Sequence, residues 1–162
     1  MNPCPCGHLG DPRHACTCLS PLIERYRGRI SGPLLDRIDL HVEMPALSLR
    51  ELRAAPGEPS SVVGPRIAAA RAVQLARFGP ACPTPVNAAM AHEDLRRHCR
   101  LDNPGQRLLD DAFEKLGLSA RALDRILKVG RTLADLEGAP SLRQAHVAEA
   151  IQYRALDRRL SG

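Results

Sequence analysis

The sequence contains no tryptophan and only two tyrosines and two phenylalanines among its 162 residues. Aromatic side chains make up 2% of the chain, although hydrophobic residues account for 44% of it. A hydrophobic core must therefore be assembled from Leu, Ile, Val and Ala. That set of residues favours helices over sheet.

Long apolar runs are also missing. No stretch approaches the roughly 20 apolar residues of a membrane-spanning helix, and the first residues lack the basic and apolar regions of a secretory signal. Because the cytosol keeps thiols reduced, the cluster of four cysteines near the start of the chain points to metal binding rather than to disulfides. We therefore expect a cytoplasmic protein that has no membrane partner.

The formal charge of +5 and the isoelectric point near 9.1 permit contact with nucleic acid or nucleotide phosphates. The excess of positive charge is small, however, and a solvated basic surface explains it more simply. Most of the 14 prolines precede residue 86, which predicts a loop-rich first half.

Four of the six cysteines lie within the first 18 residues, in two Cys-x-Cys pairs separated by nine residues: Cys4, Cys6, Cys16 and Cys18. Four converging thiolates suit zinc or an iron–sulfur cluster, and a closed zinc site of this kind is structural. His8 and His14 lie inside the loop and could each replace a thiolate. The alternatives are four incidental thiols or a redox pair. Cys82 and Cys99 are isolated and are predicted to be buried thiols.

The hydrophobic pattern predicts one strand and several helices. Residues 38–43 alternate apolar and polar side chains, as a half-buried strand does; a short helix over 21–29 and a helical turn over 34–37 precede it. Pro-Gly and Ser-Ser pairs indicate a linker over 46–64, with a short turn at 49–52. Apolar residues then recur at helical spacing, which predicts a bundle with helices over 66–78, 92–99 and 104–116 and two more capped by Ser119 and Ser141. The inner faces of the bundle are expected to include Phe113 and Leu156.

Two arginines occupy unusual positions. Arg37 follows the helical turn and has Asp36 and Asp39 as neighbours, so composition alone suggests an exposed arginine paired with an aspartate. Arg121 stands in the first turn of the helix capped by Ser119, where a cation opposes the helix dipole. This small cost suggests that an external anion binds there.

Four segments together resemble the magnesium-chelatase-like AAA+ ATPases, in particular their ComM/YifB branch, and the resemblance extends over essentially the whole chain. The segments are MNPCPCG over 1–7, YRGRISGPLLDRIDL over 26–40, LSAR over 118–121 and AEAIQYR over 148–154. The first two are long and specific, whereas the other two are supportive.

The resemblance implies roles for three residues. Asn2 matches the sensor 1 position, Arg37 the arginine finger that reaches the γ-phosphate of a neighbouring subunit, and Arg121 the sensor 2 position. The implied fold is mainly α. Residues 1–45 would form the C-terminal end of an AAA+ α/β core with the cysteine loop, 46–64 a linker, and 65–162 the helical lid bundle.

A phosphate-binding G-x-x-x-x-G-K-[ST] loop is missing from the sequence, as is an apolar strand that ends in paired acids. We therefore expect the chain to be the C-terminal part of a longer ATPase and to be inactive alone. The resemblance implies that the parent binds ATP and Mg²⁺, forms a hexameric ring, and moves on DNA in recombination or transformation. A stand-alone, zinc-stapled nucleic-acid-binding module and a truncated remnant are the alternatives.

Overall fold

The structure is a computed structural model, which describes residues Met1–Arg154. Over this range the chain is mainly α, as predicted, and its only β pairing is an isolated bridge between Leu101 and Leu142. A 3₁₀ turn at Asn87–Ala89 separates the fourth and fifth helices. The helices are α1 (Ser20–Arg27), α2 (Gly32–Leu35), α3 (Leu49–Leu52), α4 (Ser60–Phe78), α5 (His92–His98), α6 (Asn103–Leu116), α7 (Ala120–Leu136) and α8 (Gln144–Gln152). Within the described range, every helix is too short or too polar to cross a membrane.

The chain divides into two compact units. The first contains Met1–Leu35 and Val42–Pro56. The second contains Asp36–His41 and the residues from Gly57 onward. The second unit, here called the helical unit, therefore includes the segment that carries Arg37.

The core of the helical unit lies between α6, α7 and α8. Its buried members are aliphatic, as the shortage of aromatic residues predicts: Leu109, Ala112, Leu118, Ala122, Ile126, Val147, Ala150 and Ile151. Helices α7 and α8 approach closely at Gly130, where a Cβ atom would lie 3.7 Å from the carbonyl oxygen of His146 on α8 and 3.2 Å from Cδ2 of Leu142. Phe113 was expected on the inner face but is 44% exposed. Leu156 lies outside the described residues.

Most helix boundaries agree with the sequence predictions. Helices α5 and α6 match to within one residue, and Ser119 caps α7 by accepting a hydrogen bond from the backbone N–H of Ala122. Helix α4 instead begins at Ser60, inside the expected linker, and includes Pro65. Pro65 lies in the second turn of this 19-residue helix, where its ring removes one backbone hydrogen bond.

Ser141 is not the cap of the last helix, contrary to the prediction. Helix α8 begins at Gln144, with Arg143 at the capping position. The intervening Leu142 is completely buried, pairs with Leu101 and accepts a backbone hydrogen bond from Asp102. Because this pairing holds the chain extended at Leu142, the helix starts only after it.

The strand predicted over residues 38–43 is wrong. Its apolar residues are exposed, with Ile38 at 37% and Leu40 at 47%, whereas His41 is buried. Instead of pairing with a strand, the backbone N–H of His41 donates to the carbonyl of Tyr153, and the carbonyl of Ile38 accepts from Arg154. The alternation therefore marks an extended segment whose main chain is bonded to the end of α8.

Candidate metal centre and exposed arginines

Two consecutive turns shape the N-terminal loop. The backbone N–H of Gly7 donates to the carbonyl of Cys4, and that of Asp11 donates to the carbonyl of His8. Gly7 and Gly10 have φ values of 84° and 85°, in the left-handed region that favours glycine. The turns at these glycines reverse the chain and return Cys16 and Cys18 towards the first pair.

The four thiols meet as the spacing predicts. The Sγ atom of Cys4 lies 3.4 Å from that of Cys6 and 3.7 Å from that of Cys16, and Cys6 and Cys16 are also 3.7 Å apart. With Cys18 included, all four sulfur atoms lie within 4.8 Å of one another. A tetrahedron with zinc–sulfur bonds of about 2.3 Å has edges of about 3.8 Å. The cluster therefore fits a four-thiolate metal site.

The pKa values of these thiols differ widely. Hydrogen bonds from the backbone of His8 and from the Cys4 thiol lower the pKa of Cys6 to about 6. The backbone N–H of Cys6 lowers the pKa of Cys18, but desolvation and the neighbouring thiols outweigh it and raise that pKa to about 12. Four mutually adjacent thiolates thus need a cation to offset their charge.

Asn2 lies exposed at the start of this loop. Its Nδ2 atom would be 3.6 Å from a Cβ atom built on Gly7, so the amide packs against the first turn. The carbonyl of Pro3 accepts a hydrogen bond of 3.1 Å from Nε of Arg27 on α1. Asn2 is therefore held beside the cysteine loop, with α1 fixing the residue that follows it.

Helix α7 holds the segment that carries Arg37. Nε of Arg125 donates to the carbonyl of Asp36 at 2.7 Å, and Nη1 of Arg125 bonds the carboxylate of Asp39. The Ser119 hydroxyl donates to Oδ2 of Asp36 at 3.3 Å. Both aspartates are thus engaged by residues other than Arg37, so the expected Arg37–aspartate pair is not formed.

Arg37 and Arg121 are both exposed, and neither makes a hydrogen bond or an ion pair with any described residue. Both arginines also lie close in sequence to the hydrogen bond between Ser119 and Asp36. Arg37 follows Asp36 in the chain, and Arg121 is two residues beyond Ser119, the hydrogen-bond partner of Asp36. Both arginines are therefore exposed and lie within two residues of a contact at the start of α7.

The helical unit also contains a buried polar network that sequence reasoning missed. Asp135 accepts hydrogen bonds from Nη1 and Nη2 of Arg77 at 2.8 and 2.5 Å, from Nε of Arg131 at 3.0 Å and from Nδ2 of Asn87 at 2.8 Å. The one available signal was the Arg131–Asp135 pair, spaced by four residues beside the apolar face of α7. The partners on α4 and the 3₁₀ turn have no local signature.

The two isolated cysteines differ. Cys99 is buried as predicted, and burial raises its pKa to about 11. Cys82 is only partly buried. Neither thiol belongs to the N-terminal cluster.

Comparison with known proteins identifies the family. The family profile described as "Magnesium chelatase, subunit ChlI" matches residues 1–52, and "Magnesium chelatase, subunit ChlI C-terminal" matches residues 57–154. The chain belongs to the magnesium chelatase ChlI family, and the sequence resemblance to this family is confirmed.

Named relatives lie within the same family. The chain is 40% identical over 162 residues to the competence protein ComM of Haemophilus influenzae, covering 99% of this chain and 30% of that protein. It is 40% identical, with coverage of 99% and 31%, to the uncharacterized protein YifB of Salmonella typhimurium. Its identity to YifB of Escherichia coli is 38%, with the same coverage. The chain thus spans about 30% of the length of the relatives it matches.

Proposed function

We propose that this chain forms the sensor, arginine-finger and lid part of an AAA+ ATPase. In this proposal Arg37 is the arginine finger, Arg121 the sensor 2 residue and Asn2 the sensor 1 residue. The observation that carries it is the contact between Ser119 and Asp36, which lies within two residues of both exposed arginines. Since guanidinium groups bond two phosphate oxygens at once, two of them suit the charge that develops during phosphoryl transfer.

Arg37 and Arg121 belong to the same compact unit, so we infer that both act on one nucleotide. If Arg37 reaches the γ-phosphate held by a neighbouring subunit, Arg121 of the same chain as Arg37 also reaches that γ-phosphate. The active site would then lie between subunits of a ring, a hexamer in this proposal. An arginine supplied in trans contributes about 10³–10⁵ in rate in other phosphoryl-transfer enzymes.

The rest of that site is proposed to come from a longer polypeptide. The sequence contains no phosphate-binding loop, and relatives such as ComM are about three times as long as this chain. The exposed Ile38 and Leu40 support the same view, because a neighbouring sheet would cover them. The complete protein would bind ATP and Mg²⁺ and remodel DNA in the cytoplasm, in keeping with the name of its competence-protein relative.

In this proposal the thiols of the N-terminal loop bind one structural zinc ion. The sulfur–sulfur distances support this assignment, and a closed four-thiolate site leaves no position for a catalytic water. Zinc would hold the loop that carries Asn2. Its contribution to ATP hydrolysis is thus to position a residue and not to take part in the chemistry.

A chimaera tests the proposal. The matching C-terminal 30% of the Haemophilus ComM protein is replaced with this chain, and ATP hydrolysis is measured with Mg²⁺. We expect Arg37→Ala to lower kcat by about 10³-fold or more, and Arg37→Lys to restore little of it. Arg121→Ala should also lower kcat, whereas Arg107→Ala, on the exposed surface of α6, should not.

Unchanged turnover in Arg37→Ala would refute the finger assignment. If the chimaera does not assemble, alanine at the aligned arginines of the intact relative provides the same test. The isolated 162-residue chain should not hydrolyse ATP, and magnesium-dependent turnover by it would contradict the proposed division of the site.

The alternative, a nucleic-acid-binding module, is favoured by one observation. A cavity of about 200 Å³ in the helical unit is lined by Arg77, Arg97, Arg100 and Arg131, with His98 beside them. Burial and the charges of Arg77 and Arg97 lower the pKa of His98. Because Asp135 offsets only part of this charge, the cavity suits a phosphate group.

DNA binding by the isolated chain tests this alternative. Its affinity should fall steeply with salt concentration, and the joint substitution of Arg97 and Arg100 by Ala should reduce the slope of log K against log salt by about 1–2. Arg66→Ala is the control, since Arg66 is exposed and already paired with Glu58 at 2.9 Å. Salt-insensitive binding, or none, would exclude the module.

A further inference from the structure

A second group of metal-ligand side chains lies in the N-terminal loop, apart from the thiols. Nδ1 of His8 is 3.4 Å from Oδ2 of Asp11, and Nδ1 of His14 is 3.2 Å from the same oxygen. The two imidazole rings have their centroids 4.9 Å apart. All three ligand atoms lie within 4.8 Å of one another, and they form a group separate from the four sulfur atoms.

These distances fit a shared metal ion. Zinc binds imidazole nitrogen and carboxylate oxygen at about 2.0–2.1 Å, which gives a tetrahedron with edges of about 3.3–3.4 Å. The two measured nitrogen–oxygen distances match those edges. Three donors on one side of an ion would leave a fourth position for water.

The loop holds this arrangement in advance. The turn that begins at His8 returns the chain so that Oδ2 of Asp11 lies beside Nδ1 of His8. The backbone N–H of Arg13 donates to Oδ1 of Asp11 at 2.8 Å, which leaves Oδ2 for the two rings. Asp11 is only 11% exposed, whereas the side chains of His8 and His14 are 45% and 61% exposed. The carboxylate is therefore fixed, and solvent can reach the open side.

We propose that His8, Asp11 and His14 form a second metal site that binds one Zn²⁺-type divalent ion beside the thiol site. Two imidazoles and a carboxylate suit Zn²⁺, Co²⁺ or Ni²⁺, whereas Mg²⁺ and Ca²⁺ require a shell of oxygen ligands. This site is open, unlike the closed thiol cluster. The histidines thus serve their own ion, and they do not replace a cysteine in the first site.

Cobalt titration of the untagged, reduced and metal-free chain separates the two sites. Binding at the thiols produces an intense sulfur-to-cobalt charge-transfer band, whereas binding at the histidine site adds cobalt absorption without that band. We expect two cobalt ions per chain in the wild-type protein. Only the ion with the charge-transfer band should remain when His8 and His14 are both replaced by Gln.

Two further variants make the result specific. Asp11→Asn should weaken the second site by at least about 10-fold, the lower end of the effect seen when only an outer-shell partner is lost. His92→Gln is the matched control, because His92 is 79% exposed and lies on α5. It should retain both ions.

An unchanged charge-transfer band in the histidine variant shows that the loop is still folded. A single ion per wild-type chain at saturating cobalt would overturn the proposal, as would a second ion that persists without His8 and His14. Replacing Cys16 and Cys18 by Ser should abolish the charge-transfer band, which identifies the ion that the thiols bind. The test therefore distinguishes failure of this site from failure of the proposed zinc site.

Discussion

Nε of Arg125 lies 2.7 Å from the carbonyl oxygen of Asp36, 89 residues earlier in the chain. This hydrogen bond joins the middle of α7 to the residue that precedes Arg37. Together with the Arg125–Asp39 ion pair, it fixes an extended segment that has no partner strand within the described part of the chain. The position of Arg37 therefore depends on a residue of the helical unit.

Arg125→Ala should release this segment. It removes hydrogen bonds that involve charged groups, each worth about 1.5–3 kcal/mol, so exchange of the His41 amide, which donates to the carbonyl of Tyr153, should accelerate by about 10-fold or more. Arg107→Ala, exposed on α6, is the control and should leave that exchange unchanged. If the His41 amide keeps its protection in Arg125→Ala, the segment is held in another way.

Ser119→Ala should destabilise the helical unit by about 1–2 kcal/mol, because it removes the cap of α7 together with the bond to Asp36. Ser119→Thr should retain most of that stability. Ser141→Ala is the matched control, since Ser141 is exposed and caps no helix. Urea denaturation measures all three variants, and an equal loss in Ser119→Ala and Ser141→Ala would contradict the assignment of the cap.

Asp135→Asn should lower the free energy of unfolding by about 3–5 kcal/mol, since it leaves two buried arginines without their counter-ion. The side chains of Arg77 and Arg131 are only 11% and 3% exposed. Asp111→Asn removes a comparable but exposed ion pair with Lys115 and should cost less than about 1 kcal/mol. Similar losses in the two variants would show that the network is not stabilising.

The same network predicts how stability depends on pH. Burial alone would raise the pKa of Asp135, but hydrogen bonds from Arg77 and Asn87 and the charge of Arg131 outweigh burial and lower it. Its stabilising contribution is therefore complete above the unfolded-state pKa of about 3.9 and is lost as the pH falls through the lower, folded-state value. Urea denaturation from pH about 6 to about 3 should show a steeper loss in the wild type than in Asp135→Asn. Parallel curves would contradict this assignment.

Metal removal should disorder the N-terminal loop. In the first compact unit, only Cys4 and Leu35 are buried, so no hydrophobic core holds it together. Replacing Cys16 and Cys18 by Ser should abolish zinc binding at the thiols and collapse the chemical shifts of the Gly7 and Gly10 amides towards random-coil values. Cys82→Ser is the control; it should retain the metal and the native chemical shifts of the Gly7 and Gly10 amides. If the amide NMR signals of the loop remain dispersed in the metal-free protein, the metal does not hold the loop.

Local patterns predicted most of the helical unit. Helices α5, α6 and α7 have apolar residues at helical spacing and, for α7, a serine cap, and these signals act within a few residues. The cysteine cluster was equally visible, because its spacing alone requires a compact loop. The roles assigned to Asn2, Arg37 and Arg121 came from the resemblance, and the linker over 46–64 came from its Pro-Gly and Ser-Ser pairs; all of these remain predictions.

Long-range partners explain what the sequence did not reveal. The alternation over 38–43 is a local signal, but whether a segment becomes a strand depends on a neighbouring strand, and here α7 and the end of α8 bond its main chain instead. The Asp135 network joins residues 58 positions apart. The histidines were visible at a spacing of six, but their common partner Asp11 became evident only from the turn between them.

Gly130 shows what the close contact between α7 and α8 requires. Alanine would stabilise an isolated helix by about 1 kcal/mol relative to glycine at a mid-helix position. Within this chain its methyl group would lie 3.2 Å from Leu142, close enough to displace a completely buried side chain. Glycine at position 130 therefore gives up helix propensity for a close approach to Leu142 and to the His146 carbonyl of α8, and Gly130→Ala should stabilise the unit by less than the about 1 kcal/mol expected at an open helix position.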